Sequence, residues 1–243
     1  QRMVELHDAS TIAAVIVEPM AGSTGVLPPP KGYLKRLRDL CDKHGILLIF
    51  DEVITGFGRL GHATAAERFG VTPDIMTFAK GVTSGTVPMG GCIVRNHIYE
   101  AFQTGPDHVI DLFHGYTYSG HPPAAAAALA TLDLYRDEGL FERSKEMEPK
   151  MAAAAMGLKG HSLVQDIRTI GFVAAFDLAP VEGLPGKRGF DAMRVAFHEE
   201  NMMVRVSGDT IAFSPPLIAE EKHLVEAFDK FRRMLDKLSL IHI

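Results

Sequence analysis

The chain has 243 residues, 47% of them hydrophobic and 23% charged, so it can bury a sizeable core. Its formal net charge is −5 and no stretch is densely basic, which argues against nucleic acid as a partner. No apolar run approaches the ~20 residues that a membrane-spanning helix needs, which argues against a membrane protein.

The first predicted strand is an apolar run over residues 12–17. It ends at Glu18-Pro19, because proline lacks the backbone donor that a strand ladder needs, and Glu18 therefore stands at its carboxyl end. A helical pattern of apolar residues follows over 33–41. With the next strand, these elements predict a βαβ unit with a right-handed crossover.

The second predicted strand, residues 46–50, carries the first candidate functional residue. Its five consecutive apolar residues predict a strand buried on both faces. Asp51 follows directly, and open parallel sheets bind ligands at the carboxyl ends of their strands. A helix or turn cap is the alternative interpretation of Asp51.

A third strand-like run, residues 74–79, leads into Lys80. An acid and a lysine at the ends of neighbouring strands suit a pyridoxal phosphate site. There the lysine forms a Schiff base and the acid keeps the pyridine nitrogen protonated. Each signal is weak alone, and a surface lysine at a strand end is the alternative for Lys80.

The remaining pattern divides near Gly139. Before it, the sequence predicts a strand over 91–94 and an alanine-rich helix from Pro122 to about Tyr135, packed closely against another element. After it, helices alternate with short strands, an α+β arrangement unlike the parallel sheet before it. The predicted elements are helix 141–156, strands 163–168 and 171–178, helix 190–200, strands 203–206 and 210–213, and a final helix that begins at 219–221.

Neither the cysteines nor the histidines form a metal-ligand pattern. Cys41 and Cys92 lie within apolar patterns and lack metal spacing, so we interpret both as reduced core thiols, which fits a cytoplasmic protein. His114 and His121 are seven residues apart without a nearby cysteine or acidic cluster. We therefore expect no metal site.

Four segments together resemble the class III pyridoxal phosphate aminotransferases, closest to their omega-amino acid:pyruvate branch. The resemblance extends from about residue 11 to about residue 237, and its segments are 17–26, 50–59, 79–81 and 114–122. It implies an enzyme that moves an amino group from an omega-amino acid such as beta-alanine, or from a related amine, to pyruvate. Pyridoxal 5'-phosphate is the implied cofactor.

The resemblance also implies the fold and the extent of the chain. It is the α/β fold type I of these enzymes, with the strand at 91–94 antiparallel. Residues 1–138 would be the C-terminal part of the large, mostly parallel-sheet domain, and 139–237 the small α+β C-terminal domain. Because the family's chains are nearly twice as long, we expect an N-terminally truncated fragment. Residues 238–243 are expected to be a non-native tail, with a natural apolar tail as the alternative.

Three cofactor residues besides Lys80 and Asp51 follow from the resemblance. Val53 would press against one face of the pyridine ring, and Glu18 would support the cofactor end of the pocket. Thr117 would reach the cofactor phosphate of the neighbouring subunit, which makes the protein at least a homodimer with shared active sites. The alternatives are a core valine, a structural carboxylate and a locally bonded turn threonine.

Lys80 and Arg205 would act on the substrate. Once displaced from the cofactor, the Lys80 amine would carry the proton between the substrate carbon and the cofactor carbon. Arg205 would bind the substrate carboxylate with its planar fork, unless it is only an exposed strand residue. Two other readings of the whole chain are an aminomutase or decarboxylase on the same fold, and a structural fragment without activity.

Overall fold

The computed structural model describes residues 1–109 and 112–240, and the chain folds into two compact units. The first unit comprises residues 1–19, 29–57 and 64–138. The second comprises residues 20–28 and 58–63 together with the chain from Gly139 onwards. The domain boundaries given above stay predictions. Of the expected non-native tail, residues 241–243 lie outside the described residues.

The first unit is built on a four-stranded sheet in the order β1-β2-β3-β4. The first three strands are parallel, and β4 is antiparallel to β3, as expected. In chain order the elements are α1 (Arg2–His7), β1 (Ala14–Val17), α2 (Tyr33–His44), β2 (Leu47–Asp51), α3 (Ala65–Phe69), β3 (Ile75–Phe78), β4 (Gly91–Val94), α4 (Asn96–Ala101) and α5 (Pro122–Asp137). A 3₁₀ turn, Lys80–Thr83, follows β3.

The core of the first unit lies between α2 and one face of the sheet. Leu48 and Phe50 of β2 are fully buried there with Leu34 and Cys41 of α2. The expectation that β2 is buried on both faces is wrong for this chain, because its other face is only half-buried. Consecutive strand side chains point to opposite faces, and no described element covers that second face completely.

Cys92 differs from expectation as well. It lies on β4 and is exposed, whereas Cys41 is buried. The apolar residues around Cys92 predicted a core position, but β4 is the last strand of the sheet and its side chains have high exposure. Only Cys41 is therefore a core thiol.

Asp74 stabilises the amino end of β3. One of its carboxylate oxygens accepts hydrogen bonds from the backbone N–H of Leu48 and from Arg38, both at 2.7 Å. Burial by itself would raise the pKa of Asp74, but these two donors outweigh burial and lower that pKa. The contact fixes the start of β3 against β2.

The second unit is an antiparallel sheet in the order β5-β6-β8-β7 packed with helices. Its elements in chain order are α6 (Leu140–Met156), β5 (Val164–Ile170), β6 (Val173–Leu178), α7 (Lys187–Glu199), β7 (Arg205–Ser207), β8 (Thr210–Phe213) and α8 (Glu221–Leu240). Four phenylalanines form the centre of its core, with ring centroids 4.8–5.9 Å apart in the contacting pairs: Phe176, Phe213, Phe228 and Phe231. Leu238 near the end of α8 is fully buried.

Arg168 of β5 holds the segment 20–28 within the second unit. Its guanidinium donates two hydrogen bonds to the carbonyl of Gly25, at 2.9 and 3.1 Å, and two to the carboxylate of Asp177. The hydrogen bond from Arg168 lowers the pKa of Asp177 despite its partial burial. The loop over residues 20–28 is therefore held by hydrogen bonds from Arg168 to its backbone, and the ion pair with Asp177 orients that arginine.

Candidate active site

The first unit places three predicted site residues just after neighbouring parallel strands. Strand register pairs Val17 with Phe50, and Asp51 with Thr77. Glu18 follows β1, Asp51 is the last residue of β2, and Lys80 begins the turn after β3. The three side chains thus share the carboxyl edge of the sheet, where open α/β sheets bind ligands.

The backbone of Lys80 is in the left-handed region, with φ 45°. This conformation costs a residue with a Cβ roughly 1–2 kcal/mol, and it persists only where surrounding contacts impose it. The Lys80 side chain is exposed and forms no ion pair with the residues that the structure describes. Its amine is therefore available to a ligand.

Asp51 is half-buried and has one oriented carboxylate. Its Oδ1 accepts a hydrogen bond from the backbone N–H of Val53 at 3.0 Å. Within the described parts of the chain no donor contacts its Oδ2, so this oxygen can accept a hydrogen bond from a protonated ring nitrogen. Val53 itself is half-buried, and Glu18 is half-buried as well.

Glu52, next to Asp51, is a buried carboxylate with a structural set of partners. It is 1% exposed, and it accepts hydrogen bonds from Thr55 Oγ1 and from the backbone N–H groups of Ala65 and Ala66. Ala65 begins α3, so Glu52 satisfies amides that a helix N-terminus leaves unpaired. Both carboxylate oxygens of Glu52 thus accept hydrogen bonds from the protein itself, whereas Oδ2 of Asp51 can still accept one from a ligand.

Thr117 lies in an exposed loop that lines a cavity of about 610 Å³. The cavity is bounded by Pro88, Met89 and Gly90, by the loop His114–His121, and by Ala124 and Ala125 at the start of α5. His114 Nδ1 accepts a hydrogen bond from the backbone N–H of Tyr116 at 3.0 Å, which shapes the loop just before Thr117. Hydroxyls and backbone amides in such a loop can hold a phosphate.

Arg205 belongs to the second unit, as the first residue of β7. Its side chain is exposed and makes no ion pair within residues 1–109 and 112–240. No group of His, Cys, Asp and Glu side chains suited to a metal ion is found in those same ranges. Over that part of the chain, no helix has the length and apolar character required to cross a membrane.

Comparison with known proteins identifies the family. The profile described as aminotransferase class-III matches residues 2–235. The chain belongs to the class-III aminotransferase family. A curated relative from Caulobacter vibrioides, an omega-aminotransferase, is 53% identical over 98% of this chain and 54% of its own length. The beta-alanine--pyruvate aminotransferase of Pseudomonas aeruginosa is 49% identical over 98% of this chain and 53% of its own.

Solved structures of the family agree with the fold. The omega transaminase from Pseudomonas jessenii in complex with PMP superposes with a TM-score of 0.90 at 34% identity, over 98% of this chain and 54% of that one. The expected α/β fold type I is thereby confirmed. The chain spans about half the length of the curated relatives it matches.

The site fits the cofactor that class-III aminotransferases use. Pyridoxal phosphate requires an amine for its aldehyde, a carboxylate for its ring nitrogen and donors for its phosphate. The exposed amine of Lys80 and the open Oδ2 of Asp51 suit the first two requirements within one chain. The hydroxyl of Thr117 at the 610 Å³ cavity suits the third, for the cofactor that the family resemblance places in the neighbouring subunit.

Sequence reasoning missed three residues around the site: Glu52, Phe57 and Tyr135. The helix start that Glu52 contacts could have been predicted from the sequence, because Thr64 and Glu67 have the spacing of a capping box. Thr64 does cap α3. The contact between Tyr135 and Gly81 spans 54 residues and had none.

Proposed function

We propose that the protein is a pyridoxal phosphate-dependent aminotransferase that moves an amino group from an omega-amino acid such as beta-alanine, or a related amine, to pyruvate. The observation that carries this proposal is the position of Asp51 and Lys80 at the ends of adjacent parallel strands in a class-III chain. The name of the relative at 49% identity supports the donor and the acceptor.

Lys80 and Asp51 have the central roles. When bound, pyridoxal phosphate supplies an aldehyde that condenses with amines and a protonated ring that withdraws electrons. Lys80 would hold the cofactor through Nζ, and its amine, when free, would move a proton to or from the substrate carbon. Asp51 keeps the proton on the ring nitrogen through Oδ2, since Val53 N–H occupies Oδ1.

The other proposed residues bind and orient. Val53 packs against one face of the ring, and Glu18 supports the cofactor end of the pocket. Thr117 binds the phosphate of the cofactor in the neighbouring subunit, so the protein is at least a homodimer with shared sites. Arg205 binds the substrate carboxylate, because a guanidinium makes paired charge-assisted hydrogen bonds with a carboxylate. A cytoplasmic location is part of the same proposal.

The visible spectrum of the full-length protein tests this function. Pyridoxal phosphate should turn the protein yellow, beta-alanine should bleach the colour, and pyruvate should restore it. Lys80→Ala should remove the colour, whereas Lys31→Ala, at an exposed lysine, should keep it.

The other outcomes distinguish the alternatives. A colour that pyruvate never restores would leave the cofactor site intact and point to an aminomutase or a decarboxylase. A wild-type protein that stays colourless would refute the catalytic proposal and support a structural chain.

A further inference from the structure

Two aromatic residues that the proposed chemistry does not use, Phe57 and Tyr135, contact the turn that begins at Lys80. The hydroxyl of Tyr135 donates a hydrogen bond of 2.6 Å to the carbonyl of Gly81. The Phe57 ring is stacked with the Tyr135 ring at a centroid distance of 6.1 Å and meets the Phe78 ring edge-on at 6.0 Å. All of these residues belong to the first unit.

Phe57 is packed directly on Gly81. A Cβ at Gly81 would stand 2.7 Å from Phe57 Cβ, so only glycine fits at the position after Lys80. Phe57 is itself left-handed, with φ 59°. Phe57 and Lys80 thus both have φ values that favour glycine. Lys80 precedes Gly81 in the chain, and Phe57 packs against it.

Such backbone conformations persist only where neighbouring contacts impose them. Within the turn itself, Ser84 N–H donates to the Gly81 carbonyl at 3.1 Å and Gly85 N–H donates to the Lys80 carbonyl at 3.2 Å. Tyr135 is 8% exposed and makes the shorter contact to the same Gly81 carbonyl. The hydroxyls of Thr83 and Thr86 bond carbonyls at the far end of the turn, those of Val87 and Thr83. The Tyr135 hydroxyl and the Phe57 ring are the contacts from other elements that reach Gly81, next to Lys80.

We propose that Tyr135 and Phe57 are positioning residues for Lys80, which keep its backbone left-handed and so fix the direction in which its side chain leaves the end of β3. The proposal rests on the proposed function for the role of Lys80. The Lys80 amine would have to reach both the substrate carbon and the cofactor carbon, so its backbone must be held in one position. Small misplacements of an active-site group cost large factors in rate.

The test compares Tyr135→Phe with Tyr99→Phe in the full-length protein. Tyr135→Phe deletes the donor to Gly81 and keeps the ring. Tyr99→Phe makes the same deletion at an exposed tyrosine of α4 and serves as the matched control. Phe57→Leu is a second variant that removes the stacked ring and no polar group.

Two readouts other than turnover are measured. Amide hydrogen exchange at Ser84 and Gly85, without cofactor, reports the order of the turn. The pH midpoint of the visible band, with pyridoxal phosphate, reports the environment of the Lys80 amine.

Tyr135→Phe should accelerate exchange at Ser84 and Gly85 roughly fivefold, the usual effect of losing one hydrogen bond, and leave the Asp74 amide unchanged. It should also shift the pH midpoint and lower kcat more than it changes KM. Phe57→Leu should act in the same direction, and Tyr99→Phe should change none of these quantities.

The positioning role is refuted if both tyrosine variants behave alike, or if Tyr135→Phe lowers the melting temperature without altering the exchange or the pH midpoint. Failure of the proposed function is recognised separately. In that case the wild-type protein has no visible band that depends on Lys80. The exchange data still decide whether Tyr135 orders the turn.

Discussion

The carboxylate of Glu52 accepts a hydrogen bond of 2.7 Å from the backbone N–H of Ala65, thirteen residues further along the chain. Between these two residues the chain leaves the first unit at Gly58 and returns to it at Thr64. Glu52 therefore links the backbone before residues 58–63 to the backbone after them, and it does so directly beside Asp51. This hydrogen bond thus fixes the backbone immediately after Asp51, the proposed cofactor carboxylate at the end of β2.

Glu52→Gln should destabilise the protein by about 1–3 kcal/mol, because the Gln side chain replaces an accepting oxygen by an NH₂ group in a site filled with donors. Urea unfolding of the variant measures this loss. Glu138→Gln, at an exposed glutamate after α5, is the control and should stay within about 0.5 kcal/mol of wild type. Equal stability of both variants would show that the buried contact contributes nothing.

Sequence patterns predicted the elements of this fold well where the signal is local. The apolar runs ending at Glu18 and Asp51 gave β1 and β2, and Gly45, with φ 66°, ends α2 as its type suggests. What the patterns did not predict depends on packing between distant segments. The half-buried face of β2 and the exposure of Cys92 are of this kind, because an apolar strand has the same composition whether one face is covered or two.

The candidate site follows the same division. Asp51 and Lys80 could be found from their positions after strand-like runs, and Thr117 and Arg205 only from the family resemblance. Tyr135 could not be found from either, since its contact to Gly81 requires α5 to lie against the turn after β3.

Gly81→Ala should disrupt the Lys80 turn and cost about 1–3 kcal/mol, because the new Cβ would stand 2.7 Å from Phe57 Cβ. Thermal unfolding and the intensity of the cofactor band measure the effect. Gly105→Ala is the matched control, since nothing lies within 4 Å of its added Cβ. In a Phe57→Gly background, which lacks the obstructing Cβ, Gly81→Ala should cost less than it does in the wild type. An equal cost in both backgrounds would mean that this contact is not the cause.

Asp74→Asn should lower the free energy of unfolding at pH 7 by about 1–3 kcal/mol, because it removes one of the two carboxylates that pair with the largely buried Arg38 and leaves only Asp42. The folded pKa of Asp74 lies below its ordinary value of 3.8, so the charged form stabilises the fold above that value. This contribution is lost as the pH falls through the folded pKa.

The difference between wild type and Asp74→Asn should therefore be constant from pH 7 to about 5 and shrink below about pH 4. Urea unfolding at a series of pH values measures it. Asp107→Asn, at an exposed aspartate, should show no such profile. A difference that grows on acidification would contradict the lowered pKa.

Arg205→Ala should separate substrates with a carboxylate from substrates without one. If the exposed guanidinium of Arg205 binds the carboxylate of beta-alanine, its removal should reduce the bleaching rate at low beta-alanine concentration roughly 10- to 100-fold. The rate with 1-phenylethylamine, which has no carboxylate, should stay within about threefold. Both rates are measured as single half-reactions without pyruvate, because pyruvate carries a carboxylate of its own.

Two further variants sharpen this comparison. Arg205→Lys keeps the charge and loses the planar fork, so it should fall between wild type and Arg205→Ala for beta-alanine. Arg194→Ala removes an exposed arginine of α7 and should leave both substrates unaffected. An equal loss for beta-alanine and the amine in Arg205→Ala would mean that Arg205 supports the fold of its strand and does not select the substrate.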